Sequence, residues 1–183
     1  MESAMEQFWK EGFEASSIQK LLDATGINRG TLYNSFGDKE VFFKSCLDRY
    51  LGRLMGIVDA TLGDKNLKAE KALGAFIENV VSGLPSRQRN LGCLLVNSLC
   101  ESVVWDAEIQ KLLRDGLNGV RKAVLVRTRE LEKGKQLTKA LDADKAADVV
   151  MALYTAVKVG ARSGRSPKQL GELTSYMLGG MLK

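Results

Sequence analysis

The chain reads as an all-α protein of about nine helices, on three observations. Apolar residues recur every three or four positions through almost its whole length. Only two prolines occur in 183 residues, Pro85 and Pro167, and both fall where that periodicity breaks. No segment reads convincingly as a strand. The order is a small three-helix head, a long connecting helix and a helical bundle body.

The first helix is expected from Ser3 to Lys10, with Phe8 and Trp9 on its apolar side and an end near Gly12. Ser16 or Ser17 then offers an N-cap to a helix carrying Ile18, Leu21, Leu22 and Ala24. Gly26 supplies a left-handed stop, because a glycine pays no Cβ penalty there. Asn28 caps the next helix, about Arg29 to Phe36, and Gly37-Asp38 breaks the chain again. A long helix follows from Lys39 to about Leu62, with Phe43, Leu47, Tyr50, Leu54 and Val58 along one stripe.

Beyond the polar link Gly63 to Asn66, a helix runs through Ala69, Leu73, Phe76, Val80 and Leu84. Pro85 to Asn90 reads as a charged loop. Leu91 to Val104 is apolar nearly all round and reads as a buried central helix. Asp106 caps a helix carrying Ile109, Leu113, Leu117, Val120, Val124 and Leu131, which ends before Gly134. A cap at Asp142 or Asp144 begins a very apolar helix to about Arg162. Gly164 to Pro167 then turns the chain into a last helix with Leu170, Leu173, Met177 and Met181.

Composition narrows the function. Cys46, Cys93 and Cys100 are an odd number, no C-x-x-C occurs, and the chain has no histidine. A standard zinc site and a disulfide framework are both disfavoured, so no metal is expected. The commonest general base and the Ser-His and Cys-His nucleophile pairs are missing, and no cluster of Asp, Glu, Lys or Tyr replaces them; an enzyme is not expected, nor a cofactor. The longest strongly apolar run, Val149 to Val157, is far short of the roughly 20 residues that span a bilayer. Met1 to Phe13 carries acids rather than a basic-then-apolar leader, so a cytoplasmic location is expected. The net charge of +5 invites a nucleic-acid partner, but residues 1–50 hold six Lys/Arg against eight Asp/Glu. The charge therefore does not make the case by itself.

The spacing from Ser16 to Tyr33 does more. Two short helices joined by a tight glycine-containing turn form the unit that places its second helix in a major groove. Leu21, Leu22, Ile27 and Leu32 would form the inner face that sets the angle between the helices. Arg29, Thr31, Tyr33, Asn34 and Ser35 would point outward. Arg29 could pair bidentately with guanine, and Thr31 could meet a thymine methyl or a phosphate. Gly30 costs about 1 kcal/mol in a helix relative to alanine, and close approach to DNA or to a neighbouring helix would explain it. Lys39 in the first turn of a helix opposes the macrodipole unless a phosphate sits there too, and the hydroxyls of Ser16 and Ser17 suit the same role. Each of these residues alone also reads as a plain cap or a solvated charge.

From Phe8 to Leu47 the residues Phe8, Gly12-Phe13, Ser17-Ile18, Ala24-x-Gly26-Ile27, Gly30-Thr31-Leu32-Tyr33, Phe36 and Asp38-Lys39-Glu40 closely resemble the DNA-binding head of the tetracycline-repressor (TetR) family. The resemblance implies a helix-turn-helix domain in residues 1–45 and a ligand-binding and dimerisation domain in residues 46–183. It implies a homodimer on a palindromic double-stranded DNA operator, released by a small-molecule effector. Carried over by position, DNA contact falls to Ser17, Gln19, Arg29, Thr31, Tyr33, Asn34, Ser35 and Lys39. The family's longer first helix and basic arm have no counterpart before Gly12, which matches the acidic balance of the head. A helical sensor or carrier whose head has lost DNA binding is the alternative.

In the body, Ala146 to Ala161 is apolar on more than one side, and the last helix adds Leu170, Leu173, Met177, Leu178 and Met181. Family precedent implies a dimer made by these two helices, with Gly179-Gly180 permitting close approach; internal core is the other reading. Cys93, Asn97, Cys100 and Glu101 put polar groups on an apolar element, and buried polar groups need partners, of which a ligand is one. Cys93 as an electrophile or oxidant sensor stands beside its reading as a packed thiol.

Overall fold

The computed structural model describes residues 1–101 and 105–183. Ten α-helices occur among them: α1 (Glu2–Ala15), α2 (Ile18–Thr25), α3 (Arg29–Phe36), α4 (Lys39–Thr61), α5 (Ala69–Ser82), α6 (Ser86–Arg89), α7 (Leu94–Leu99), α8 (Ala107–Lys133), α9 (Ala143–Arg162) and α10 (Pro167–Met181). No strand forms among the described residues, where the single isolated bridge pairs Leu137 with Leu182. None of these helices is long and apolar enough to cross a membrane.

Nine of the ten answer to the nine predicted from sequence. The addition is α6, a single turn that Pro85 opens where a charged loop is expected. Three helices differ from expectation in length, α5 by ending at Ser82, short of the expected Leu84. α1 continues to Ala15, but Gly12 inside it is non-helical (φ 84°, ψ 175°), so the expected stop is a kink followed by another turn. α7 is only six residues long. Gly92 is left-handed (φ 81°) and Cys93 is extended, so the helix starts three residues late. Its exposed Leu99 and Cys100 show that the segment is not buried all round, and the expected end at Val104 lies outside the described residues.

Capping explains most of the boundaries. Ser17 accepts from the Lys20 N–H at 3.3 Å, Asn28 from Thr31 at 2.8 Å, Asp106 from Ile109 at 2.7 Å and Asp142 from Lys145 at 2.8 Å. Each oxygen satisfies one of the amide donors that a helix start leaves open. Ser166 and Gln169 make a reciprocal capping box ahead of α10, with Pro167 at its first position.

The chain packs as two compact units. The first comprises Met1–Arg53 and Cys93–Gly116. Its centre is aromatic: Phe8 meets Phe43 edge-on at 4.9 Å, Phe43 stacks on Trp105 at 5.0 Å, and Phe13 meets Trp105 edge-on at 5.0 Å. Trp105 satisfies its indole N–H by donating to the Ser98 carbonyl at 2.9 Å.

The second unit comprises Leu54–Gly92 and Leu117–Lys183, with α5 and α9 packed through Phe76 and Tyr154, whose rings stack at 5.8 Å. The buried guanidinium of Arg127 donates to the carbonyls of Leu62, Asp64 and Leu67, tying down the turn after α4. The buried Lys158 ammonium donates to the Val80 carbonyl. α9 keeps Val150, Leu153, Tyr154 and Val157 inside, while Ala152, Thr155, Ala156 and Val159 are exposed.

Candidate nucleic-acid interface

α2 and α3 meet as the sequence requires. Gly26 takes the left-handed conformation (φ 71°, ψ 9°) and donates its N–H to Leu22 at 2.8 Å, ending α2. Two residues later Asn28 caps α3. Leu21 and Leu32 are fully buried, and Leu22 and Ile27 are half-buried, so the inner face is the expected one. Phe36, one turn beyond Leu32, stacks on Phe42 at 4.3 Å and holds the far end of α3.

That leaves the rest of α3 to solvent. Arg29, Gly30, Thr31, Tyr33, Asn34 and Ser35 are all exposed, Tyr33 at 42%. With a turn every 3.6 residues, Gly30 and Asn34 stand opposite Leu32, flanked by Thr31 and Tyr33. A Cβ on Gly30 would meet only the Asn28 side-chain oxygen, at 3.3 Å. No neighbouring helix explains the glycine; it leaves bare backbone at the middle of the outer face.

The remaining predicted contacts are placed less simply. Ser17 is exposed at the start of α2. Ser16 is not: its hydroxyl is buried and donates to the Gly12 carbonyl at 2.6 Å, so it cannot share the phosphate role expected of both serines. Gln19 is exposed, and its amide donates to Asp23 one turn on, at 2.8 Å. Lys39 is half-buried with its Nζ 4.2 Å from the centre of the Phe13 ring. Burial lowers its pKa, against the attraction of Glu14 and Glu101.

Two acids of the first unit are paired with its cations. Glu2 pairs with Arg49 and Arg53, and Glu11 with Lys20 at 2.6 Å. The hydrogen bond from Lys20 is the main reason that the Glu11 pKa is lowered. Within α3 itself Arg29 is the one charged residue.

The four residues considered for ligand contact all lie in the first unit but do different things. Cys93 is fully buried at the start of α7, Asn97 is half-buried on it, and Cys100 is exposed at its end. Glu101 turns to α1, where both carboxylate oxygens accept from the Phe13 N–H, at 3.0 and 2.9 Å. A partner 88 residues distant leaves no local signal; the sequence offered only Gly12 as a sign that a backbone N–H would be left without its helical partner. A separate groove of about 790 Å³ in the second unit is lined from α5 and α10, by Glu70, Gly74, Glu78, Gly171 and Thr174 among others, and includes none of the four.

Known proteins bear on this geometry. Residues 1–46 match the family described as bacterial regulatory proteins, tetR family. The HTH-type transcriptional repressor ComR of Escherichia coli K12 is 34% identical over 98 residues, which are 54% of this chain and 47% of ComR. The chain thus spans about half the length of the relative it matches. Two solved structures share the fold over nearly the whole chain. A cysteine mutant of the TetR family transcriptional regulator CifR, complexed with 26-bp operator DNA, superposes with a TM-score of 0.83 at 23% identity, covering 97% of this chain and 93% of that one. The regulatory protein TetR of Rhodobacter sphaeroides gives 0.80 at 19% identity, covering 99% and 98%.

Proposed function

We propose that the chain, whose residues 1–46 match the family described as bacterial regulatory proteins, tetR family, is a cytoplasmic transcriptional repressor that binds a palindromic operator as a homodimer and responds to a small-molecule effector. The observation that carries the reading is the outer face of α3. An eight-residue rod, anchored by Leu32 and Phe36 and capped by Asn28, presents Arg29, Thr31, Tyr33, Asn34 and Ser35 around a bare Gly30. A rod of that diameter fits a major groove, and a glycine at its crown lets the backbone approach the bases. Arg29 takes a guanine edge, Thr31 and Tyr33 flank it, and Ser17, Gln19 and Lys39 meet the phosphates that set the register.

Residues 1–45 form the reading head in this account and residues 46–183 serve the effector and the partner. The exposed Ala152, Thr155, Ala156 and Val159 of α9 and the 83%-exposed Tyr176 of α10 support dimerisation through these helices. The effector response falls to the segment carrying Cys93, Asn97, Cys100 and Glu101. Selection from a random-sequence duplex pool tests the reading. It should enrich a two-fold-symmetric site with half-sites about one helical repeat apart, roughly 10 bp, occupied by two chains. Enrichment of no sequence by the folded chain at low salt would contradict it.

A further inference from the structure

Three observations in the first unit converge on one residue. α1 is interrupted at Gly12, and the Phe13 N–H that follows is taken by both oxygens of Glu101, just after α7. The Phe13 ring so held packs between Phe43 at 5.2 Å and Trp105 at 5.0 Å. Its remaining environment includes the Lys39 ammonium, 4.2 Å from the ring centre. A carboxylate after α7 thus holds an amide on α1, the ring on that residue seats a cation, and the cation opens α4.

We propose that Glu101 is a positioning residue for the DNA contact of Lys39, acting through the amide and the ring of Phe13. The proposal rests on the reading of Lys39 as a phosphate contact. A lysine has four rotatable bonds, and a free one loses much side-chain entropy on engaging a phosphate. Seated on an aromatic face, its stem is already ordered and its charge stands at the start of α4, where helix amides also favour an anion. The seat exists only while the Phe13 ring is fixed. Glu101 fixes it from the backbone side, with both carboxylate oxygens on the Phe13 N–H. Lys39 is thus seated on a ring rather than freely solvated, and the head's grip on DNA depends on a residue outside it.

The test measures affinity of the full chain for a duplex selected by the wild-type protein, as a function of KCl. Every phosphate that the protein no longer neutralises lowers the slope of log affinity against log salt by about 0.9. Lys39→Gln should lower the slope by that amount. Glu101→Ala should lower it equally, and the double variant no further than either alone. Phe13→Leu, which keeps the amide and deletes the ring, should match them and carries the decision if Glu101→Ala does not fold. Glu101→Gln, which keeps one acceptor oxygen for the amide, should recover the slope. Exchange of the Phe13 amide with solvent, read without DNA, should quicken in Glu101→Ala. A wild-type slope in Glu101→Ala or Phe13→Leu, or decreases that add to that of Lys39→Gln, would overturn the proposal while leaving the repressor reading intact. An unchanged slope in Lys39→Gln would overturn it at its root, and failure of the wild type to select any duplex would remove the repressor reading as well.

Discussion

A Cβ on Gly12 would lie 2.8 Å from Oε1 of Glu101, at a backbone conformation (φ 84°, ψ 175°) that side-chain-bearing residues almost never adopt. Conformation and space thus both disfavour any other residue at the α1 kink. Gly12→Ala is expected to cost roughly 1–3 kcal/mol from the backbone alone, with displacement of Glu101 adding to it. Urea unfolding measures this directly. A loss below about 0.5 kcal/mol, the range of an ordinary surface change, would show that the kink is not obligatory.

The three thiols should separate cleanly. Cys100 is exposed, whereas Cys46 and Cys93 are wholly buried. Burial pushes the Cys46 thiol up to about 12, so almost no thiolate exists there at neutral pH. Iodoacetamide should modify Cys100 in the native chain, and Cys46 and Cys93 only in denaturant. Native modification of Cys93 would revive its reading as a reactive sensor. Alkylation of Cys93 without change in operator affinity would end that reading.

Asp142 ties the start of α9 to pH. Its pKa is lowered from 3.8, first by the backbone hydrogen bond from Lys145 and then by the Lys145 ammonium. A carboxylate whose folded pKa is depressed contributes stability fully present above its unfolded value and lost as pH falls through the folded one. Asp142→Ala should therefore lower Tm by a constant amount at and above about pH 5, and the gap should narrow below about pH 3.8. A gap of equal size at about pH 3 would mean that the cap does not depend on the charge.

Local chemistry was legible in the sequence wherever a few neighbouring residues decide the outcome. Gly26, Asn28, Asp106 and Asp142 sit where their conformations and oxygens are needed. The exposed side of α3 follows from Leu32 and a period of 3.6. What failed to show depended on distant packing or on one residue of register. Ser16 and Ser17 suit a cap equally by type, and only the Gly12 carbonyl distinguishes them by accepting from the first. Gly92 was hidden inside an apolar run, and its left-handed turn shortens α7 at the front. Lys39 lies 26 residues from the ring that it covers, and Glu101 lies 88 residues from the amide that it holds. No periodicity connects such pairs.

If the outward side of α3 reads base edges, Arg29 is the side chain on which that reading turns most sharply. The most direct measurement is the affinity of the wild-type chain and of Arg29→Ala for the selected duplex and for a set in which each base pair is replaced in turn. Arg29→Ala should lose about 1–3 kcal/mol on the selected site, and discrimination should fall at one G·C position in each half-site while the others keep theirs. Equal binding to every duplex, before and after the substitution, would contradict that reading.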